Sequence, residues 1–428
     1  MTLPEITSEP LLPRGVKDFL PAKAAKISFL TETALELFRR WGFRPVVPPT
    51  LEYLDVLERG MGHGLRDKTF RFDDRQDGKL IAFSPDMTPQ VARIVATRMH
   101  EMPLPLRLCY SGRVLRHAEQ QSGKDREIFQ VGVELIGLQS PEADAEMIAM
   151  AIESLKAFGA TTFTIDVGQV EFYRGVMAQL DLPESDLRAL QALIARKEVT
   201  GLTRLLDTLA LPAAVRAEVL VLPRLFGGRE VLEKAAATVH NARSCQALAN
   251  LRQVLAVLET YGLEEHVTFD LGELRGLDYH SGITFQGFLP GLGRAVCQGG
   301  RYDHLTARYG YPAAATGFAF DLLNLLSALD LVLEHAAEQS TDVLLFQSGA
   351  DKQAAQKIAQ ALRERGYSAA RDIIPRSLEE SITYAKRMSF RHVLVVEAQQ
   401  AEVRVIWMDD GHERTIPLQA ILDGDVAL

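Results

Sequence analysis

Three short runs of this sequence gather residue types that can hold or transform a charged ligand. The first is Phe129-Gln130-Val131-Gly132-Val133-Glu134-Leu135. As a strand, its period of two sets Gln130, Gly132 and Glu134 on one face and Val131, Val133 and Leu135 on the other. Glycine inside a strand sacrifices packing and marks close approach by a ligand or another backbone, and a half-buried carboxylate needs a cation or a donor. A ligand ammonium meets that need; so does an arginine on a neighbouring strand, and the sequence leaves both open. The second run carries Arg113, Arg116, Lys124 and Arg126 around Gln121-Ser122-Gly123. Guanidinium groups on a strand-loop-strand unit can grip a phosphate or carboxylate bidentately, although in isolation such a run fits a solvated basic hairpin better. The third is Glu273-Leu274-Arg275-Gly276-Leu277-Asp278-Tyr279-His280, followed by Gly299-Gly300-Arg301-Tyr302-Asp303. Glycines beside Arg and Tyr suit a backbone that closes on a ligand, and suit tight turns equally. His280 has no partner at metal-ligand spacing, and a lone histidine is more often structural.

Patterning supplies the elements that must position these groups. Ala22 to Arg40 carries Ile27, Leu30, Ala34, Leu37 and Phe38 at helical spacing, and Gly42 stops it. Between Trp41 and Gly137 the runs turn short and alternating: Thr69 to Phe72 and Leu80 to Phe83 around Asp77-Gly78, then Leu106 to Tyr110 and Phe129 to Ile136. These predict an antiparallel sheet. A helix through Ala145, Ile148, Ala149, Ile152 and Leu155 and a strand from Phe163 to Val167 follow. From about Val176 to Leu263 the period is helical, before strand patterning returns at Val267 to Leu271 and Gly276 to Phe288. After a linker at His335-Ala336-Ala337 come a strand (Val343 to Phe346), helices (Lys352 to Arg365, Leu378 to Met388) and a strand (His392 to Val396), the pattern of a small parallel α/β domain.

Composition bounds the function. With 428 residues and 47% hydrophobic content the chain can bury a large core in two or three domains. The opening Met1 to Pro10 has neither a basic start nor an apolar run, and the apolar stretch from Leu322 to Leu333 is broken by Asn324, Ser327 and Asp330, so no membrane or secretory segment is expected. Cys109, Cys245 and Cys297 form neither a disulfide framework nor a zinc site, and a reducing cytoplasm is the expected setting. A net charge of −9 weighs against a protein that binds nucleic acid through its phosphates.

Taken in order, the three runs resemble the core of the class II aminoacyl-tRNA synthetases, specifically the histidyl type. Leu12-Pro13-Arg14-Gly15 to Asp18-Phe19-Leu20-Pro21 is similar to that family's opening, and Gly42-Phe43 through Pro49 to Glu52 to motif 1, its dimer-interface helix and strand. Motif 2 resembles Leu115-Arg116 through Gln121, Gly123, Arg126-Glu127 and Gln130, with Glu134 beyond it, and the two histidine-recognition signatures resemble Arg275 to Tyr279 and Gly299 to Asp303. The resemblance implies an α+β fold: a class II synthetase-like antiparallel sheet flanked by helices in residues 1–175 and 262–335, a helical insertion in 176–261, and a C-terminal α/β domain in 341–428 like the anticodon-binding domain.

The departures from the pattern redirect the function. Motif 3 in active synthetases presents an arginine to ATP from a glycine-rich strand and helix; here Asp321 stands at a glycine position and Asn324 where the arginine belongs, in the segment Gly317 to Leu325. Ala118 and Glu119 stand where an acidic and a basic residue are expected. Removing a preorganised donor from a transition state slows a reaction roughly 10²- to 10³-fold, so adenylation should be crippled. Ser84-Pro85-Asp86-Met87-Thr88 replaces the synthetases' Arg-Pro-Glu-Gly-Thr and resembles the family of regulatory subunits that accompany short-form ATP phosphoribosyltransferase.

That resemblance implies a non-catalytic partner of the short catalytic subunit, a homodimeric core within a hetero-oligomer, free histidine as a ligand, and no cofactor, metal, membrane or tRNA. It sets the histidine ammonium near Asp86, Thr88 and Gln130, the ring near Glu134 and Tyr279, and the carboxylate near Arg275 or Arg116. His280 replaces a second tyrosine after Tyr279, and Ser84 an arginine, so the ring-binding end is altered. Residues 341–428 hold thirteen acidic and eleven basic side chains, a net −2 that suits RNA poorly. The competing readings are an active histidyl-tRNA synthetase, against which Asn324 argues, and a synthetase-like binding module.

Overall fold

The structure is a computed structural model and describes residues 12–61, 67–117, 125–273, 280–330, 332–333, 341–348, 352–397 and 401–425. The chain divides into two compact units, residues 1–336 and 337–428.

The first unit begins with helix α1 (Pro21–Arg40), whose apolar stripe Ile27, Leu30, Ala34 and Phe38 is buried. Two strands follow, β1 (Arg44–Pro45) and β2 (Leu51–Tyr53), then helix α2 (Leu54–Gly60), strands β3 (Arg71–Asp73) and β4 (Leu80–Phe83) and helix α3 (Met87–Arg98). Two ten-residue strands, β5 (Leu106–Leu115) and β6 (Glu127–Ile136), lead into helix α4 (Pro141–Ala157). Ser140 caps α4 by accepting from the Ala143 amide, Pro141 starts it, and Glu142 and Asp144 sit in its first turn, where the helix dipole favours a negative charge. Eleven of its seventeen residues are buried, as expected of a helix that is apolar almost all round.

Strand β7 (Thr164–Gln169) and helix α5 (Val170–Met177) come next, followed by helices α6 (Glu184–Ala195), α7 (Val199–Asp207), α8 (Ala213–Val221), α9 (Glu230–Thr238) and α10 (Ala242–Tyr261). A two-residue strand, β8 (Phe226–Gly227), interrupts this helical stretch. Strands β9 (Val267–Asp270), β10 (Ile283–Phe288), β11 (Cys297–Arg301) and β12 (Ala315–Asp321) then run to helix α11 (Leu322–Leu329).

Nine of these strands make one sheet in the order β1-β5-β6-β12-β11-β10-β7-β9-β8. From β5 through β7 every pair is antiparallel, while β1 joins β5 and β9 joins β7 in parallel. The expected antiparallel sheet is therefore present with a parallel strand grafted at each side. One face is sealed by the apolar cluster of α1, α4 and α10, to which β6 contributes Val131, Val133 and Leu135 and β12 contributes Phe318 and Phe320. Helical residues Leu190, Leu202, Val219 and Leu232 belong to that same cluster, so the segment read as an insertion shares the core of its unit. Strands β2, β4 and β3 form a separate three-stranded antiparallel sheet.

The second unit holds β13 (Thr341–Gln347), α12 (Gln353–Glu364), β14 (Ala369–Arg371), α13 (Leu378–Arg387), β15 (Phe390–Val396), β16 (Glu402–Trp407), β17 (Glu413–Pro417) and α14 (Leu418–Asp423). Its sheet, ordered β14-β13-β15-β16-β17, is mixed: the first three strands are parallel and the last two antiparallel. This corrects the expected all-parallel domain. The reason is a hairpin: β15, β16 and β17 are joined by turns too short to carry a crossover helix.

A buried ion pair ties the sheet to α4. The Arg301 guanidinium reaches Asp144 at 2.9 Å and Asp303 at 3.0 Å, and the Arg301 and Asp144 side chains are only 6% and 2% exposed. Burial pushes the Asp144 carboxyl up while the Arg301 charge pulls it back. Arg301→Ala leaves that carboxylate buried beside Asp303 with no cation, and is expected to cost about 3–5 kcal/mol of stability by urea unfolding. A loss below about 1 kcal/mol would show that Asp144 is content as a neutral acid.

Candidate functional site

The opposite face of the nine-stranded sheet, covered by α3 over Leu106, Leu108 and Tyr110, is built by register. Across the strands, Leu108, Glu134, Gly317, Gly300, Thr284 and Gly168 stand in one row. Tyr110, Gly132, Ala319, Gln298, Gln286 and Asp166 stand in the next. Small residues (Gly317 and Gly300 in the first row, Gly132 and Ala319 in the second) lower the floor on β6, β12 and β11, and a cavity of about 520 Å³ opens above it. At Gly132 a Cβ would lie 2.5 Å from the Phe318 carbonyl and 2.7 Å from the Tyr110 hydroxyl; at Gly317 it would collide with the Glu134 carboxylate and the Val133 carbonyl. Only glycine lets a carboxylate lie flat between these strands.

Glu134 is fully buried. It accepts a hydrogen bond from the Tyr110 hydroxyl at 3.0 Å and a shorter one from the Tyr302 hydroxyl. Among the described residues no cation pairs with it, so the arginine that could have neutralised it is replaced by two phenols. Burial pushes its pKa up to about 8, with the Asp86 charge adding to the rise and the Tyr302, Thr88 and Tyr110 hydroxyls opposing it. Gln130 and Gly132 share its face, as the period of two requires, and the Gln130 side-chain oxygen accepts from the Met87 amide at 3.3 Å.

The start of α3 forms one wall. Asp86 caps that helix by accepting from the Thr88 amide at 3.4 Å, and the Thr88 hydroxyl lies 3.5 Å from the Tyr110 hydroxyl. Arg116 leans across: its Nε donates to the Pro85 carbonyl at 2.7 Å and its guanidinium is 3.7 Å from the Asp86 carboxylate. Ser84, expected to replace an arginine, donates its hydroxyl to the Asp86 carbonyl at 2.6 Å and braces the same turn.

Opposite, His280 lines the cavity, its backbone carbonyl held by Arg174 at 3.0 Å. Burial, with Arg174 nearby, lowers its pKa to about 4, so its ring is neutral at physiological pH. The helical segment reaches the same space through Gln191 of α6 and through Lys197, whose Nζ is 2.6 Å from the lining residue Asp270. Lys197 takes φ of 54°, a left-handed turn that few non-glycine residues adopt.

Thus Asp86, Thr88, Arg116, Gln130 and His280 meet around one cavity, while Glu134 is fully buried beside the lining residues Tyr302 and Gly317 and does not itself line it. Arg275 and Tyr279 lie outside the described residues, as do Ala118, Glu119, Gln121 and Gly123. Sequence reasoning missed Tyr110 and Tyr302 as the donors to Glu134. The signal was available for Tyr110 alone: a glycine between Gln130 and Glu134 on one strand face calls for a large residue opposite it. Among the described residues no cluster of three or more His, Cys, Asp or Glu could hold a metal ion, and no helix is long and apolar enough to cross a membrane.

The raised Glu134 pKa makes stability depend on pH with a definite sign. The folded state keeps a proton that the unfolded chain releases above 4.5, so the stabilisation is complete below that pH and is lost as pH rises through about 8. Urea unfolding of the wild type and Glu134→Gln should therefore diverge in favour of glutamine from about pH 5 to about pH 8, then run parallel. Curves parallel over the whole range would mean that Glu134 is ionised throughout.

The model of the histidyl-tRNA synthetase family matches residues 15–325. An ATP phosphoribosyltransferase regulatory subunit of Syntrophotalea carbinolica is 67% identical over 98% of each chain. One of Geobacter sulfurreducens is 53% identical over 95% of this chain and 93% of its own. A solved structure described as an ATP phosphoribosyltransferase regulatory subunit/histidyl-tRNA synthetase from Bacillus halodurans C has a TM-score of 0.79 at 29% identity, over 92% of this chain and 100% of that one. Histidyl-tRNA synthetase from Nostoc sp. PCC 7120 shares the fold with a TM-score of 0.82 at 19% identity, over 99% of this chain and 100% of that one. With such identity sustained over nearly its whole length, on a synthetase scaffold whose cavity faces α3 and β12, this chain belongs to the family of ATP phosphoribosyltransferase regulatory subunits.

Proposed function

We propose that this chain activates the short-form ATP phosphoribosyltransferase catalytic subunit in the first step of histidine biosynthesis and gives it feedback by histidine, without doing chemistry itself. The observation that carries the reading is the end-to-end identity with regulatory subunits of that transferase. Asp321 and Asn324 support the lack of chemistry. Where an active synthetase offers ATP an arginine, Asn324 turns its side-chain amide to the Ala295 carbonyl at 2.9 Å.

Histidine suits the cavity by charge and size. By the resemblance its ammonium would lie toward Asp86, Thr88 and Gln130, its ring toward the Glu134 side of the cavity and its carboxylate toward Arg116; Arg275 and Tyr279, which the family's pattern adds, lie outside the described residues. Feedback follows if one quaternary state of the assembly binds histidine better than the other, because the ligand shifts the balance by its difference in affinity. The reading puts the work in the cytoplasm and leaves tRNA aside, in keeping with the net −2 of residues 341–428.

A two-fold dimer is supported by the small sheet. Its register sets Leu51, Tyr53, Phe72, Ile81 and Phe83 on one face, with Leu51, Tyr53 and Phe72 41%, 40% and 41% exposed. A contiguous apolar face of this kind marks an association surface, and two copies meeting through it bury it isologously. Phe72→Glu is expected to shift the chain from dimer to monomer in sedimentation experiments, whereas an unchanged dimer would place the interface elsewhere.

The function is tested by phosphoribosyl-ATP formation by the short catalytic subunit with and without this chain, beside histidine-dependent ATP–pyrophosphate exchange by this chain alone. Stimulation without exchange is expected. Robust exchange would make the chain a synthetase, and absence of stimulation would remove the transferase as its partner.

A further inference from the structure

The strand-to-helix junction at the end of β12 faces the cavity, and it is already occupied by an anion of the chain's own. Asp321 lies at the N-terminus of α11, where free amides and the helix dipole make a ready site for a phosphate. Its carboxylate takes those donors itself, accepting from the Leu323 amide at 3.0 Å and the Asn324 amide at 3.1 Å. Asp321 and Asn324 both line the cavity. The rest of the lining leans the same way: the carboxylates of Asp86, Asp166, Asp270 and Glu273 stand with Asp321, against the lining cations Lys68 and Arg116 and against Lys197, which pairs with Asp270. Arg116, moreover, is engaged with Asp86. A polyphosphate entering here would meet a filled helix terminus and like charges, and like charges a few ångström apart in a partly dry site repel strongly.

We propose that Asp321 is the specificity residue that closes this cavity to nucleotides and leaves it to an amino-acid-sized ligand bearing a positive charge. The inference rests on the regulatory reading and deepens it: a subunit that reports an end product to a transferase consuming ATP must read the amino acid whatever the ATP concentration. A carboxylate fixed at the helix terminus secures that independence within the chain. Burial opposes the charge of Asp321 and raises its pKa, while its two amide donors, Arg116 and Arg294 favour the ionised form.

The test uses the full chain at about pH 8, titrated with a ribose-labelled fluorescent ATP analogue and, separately, with histidine. Asp321→Asn keeps a side chain that caps helices as well as aspartate does and removes only the charge; Asp321→Ser, a hydroxyl cap, serves if the first variant fails to fold. The wild type is expected to show no saturable nucleotide binding at millimolar concentration, and the variant to bind the analogue more than tenfold tighter. A gain below tenfold, or wild-type binding as tight as the variant's, overturns the proposal. Failure of the regulatory reading is separate: nucleotide exclusion relieved in the variant, together with no stimulation of the transferase by the wild type, would keep Asp321 in this role and discard the partner.

Discussion

A carboxylate buried without a cation organises this fold. Glu134 sits on β6, between β5 and β12 of the nine-stranded sheet, and its oxygens are satisfied by hydroxyls that reach it from β5 and from the residue following β11. Everything around it answers that demand. Gly317 is glycine because any side chain would strike the carboxylate, and Gly132 is glycine so that Tyr110 can approach. The Arg301 and Asp144 pair fixes the end of β11, and so the position of Tyr302, against α4. Leaving a buried acid partly uncompensated costs stability, of a size that networks of donors only partly offset.

The same face differs in character between its two ends. The end of the cavity toward α3 keeps amide, hydroxyl and carboxylate groups of the kind that read an amino acid. The end toward α11 presents Asp321 and Asn324. Neither residue disturbs the sheet: Asp321 caps its helix, and Asn324 finds a carbonyl.

Much of this was legible in the sequence because it depends on local period. The alternation of Gln130, Gly132 and Glu134 set the polar face of β6, the apolar stripe of α1 placed it against the core, and Asp77-Gly78 marked the turn before β4. What could not be read depends on register. Tyr302 lies 168 positions from Glu134 along the chain, and no spacing rule joins them. Strands of two or three residues, such as β8 and β14, carry too few side chains to show a period, and Ala369–Arg371 contains no β-branched residue to suggest extension. The mixed character of the second sheet rests on β16 and β17. Their alternation, Val403 and Val405 inward with Glu402 outward, is ordinary, but strands alternating with helices earlier in that unit argue for parallel pairing throughout.

Strands β7 and β9 lie side by side and parallel, yet the chain between them runs from Gln169 to Val267 through the helices α5 to α10. One consequence concerns the order of events during synthesis. Asp166 on β7 and Asp270 on β9 both face the cavity, so this side of the wall cannot close until the whole helical excursion has left the ribosome and folded back. Loop-closure entropy makes such a pairing late in any folding sequence. Of the central strands, only the β5–β6 pair, whose strands both precede the excursion, can form before it is made; β10, β11 and β12 follow it in the chain, so the floor of the cavity is completed only after the excursion as well.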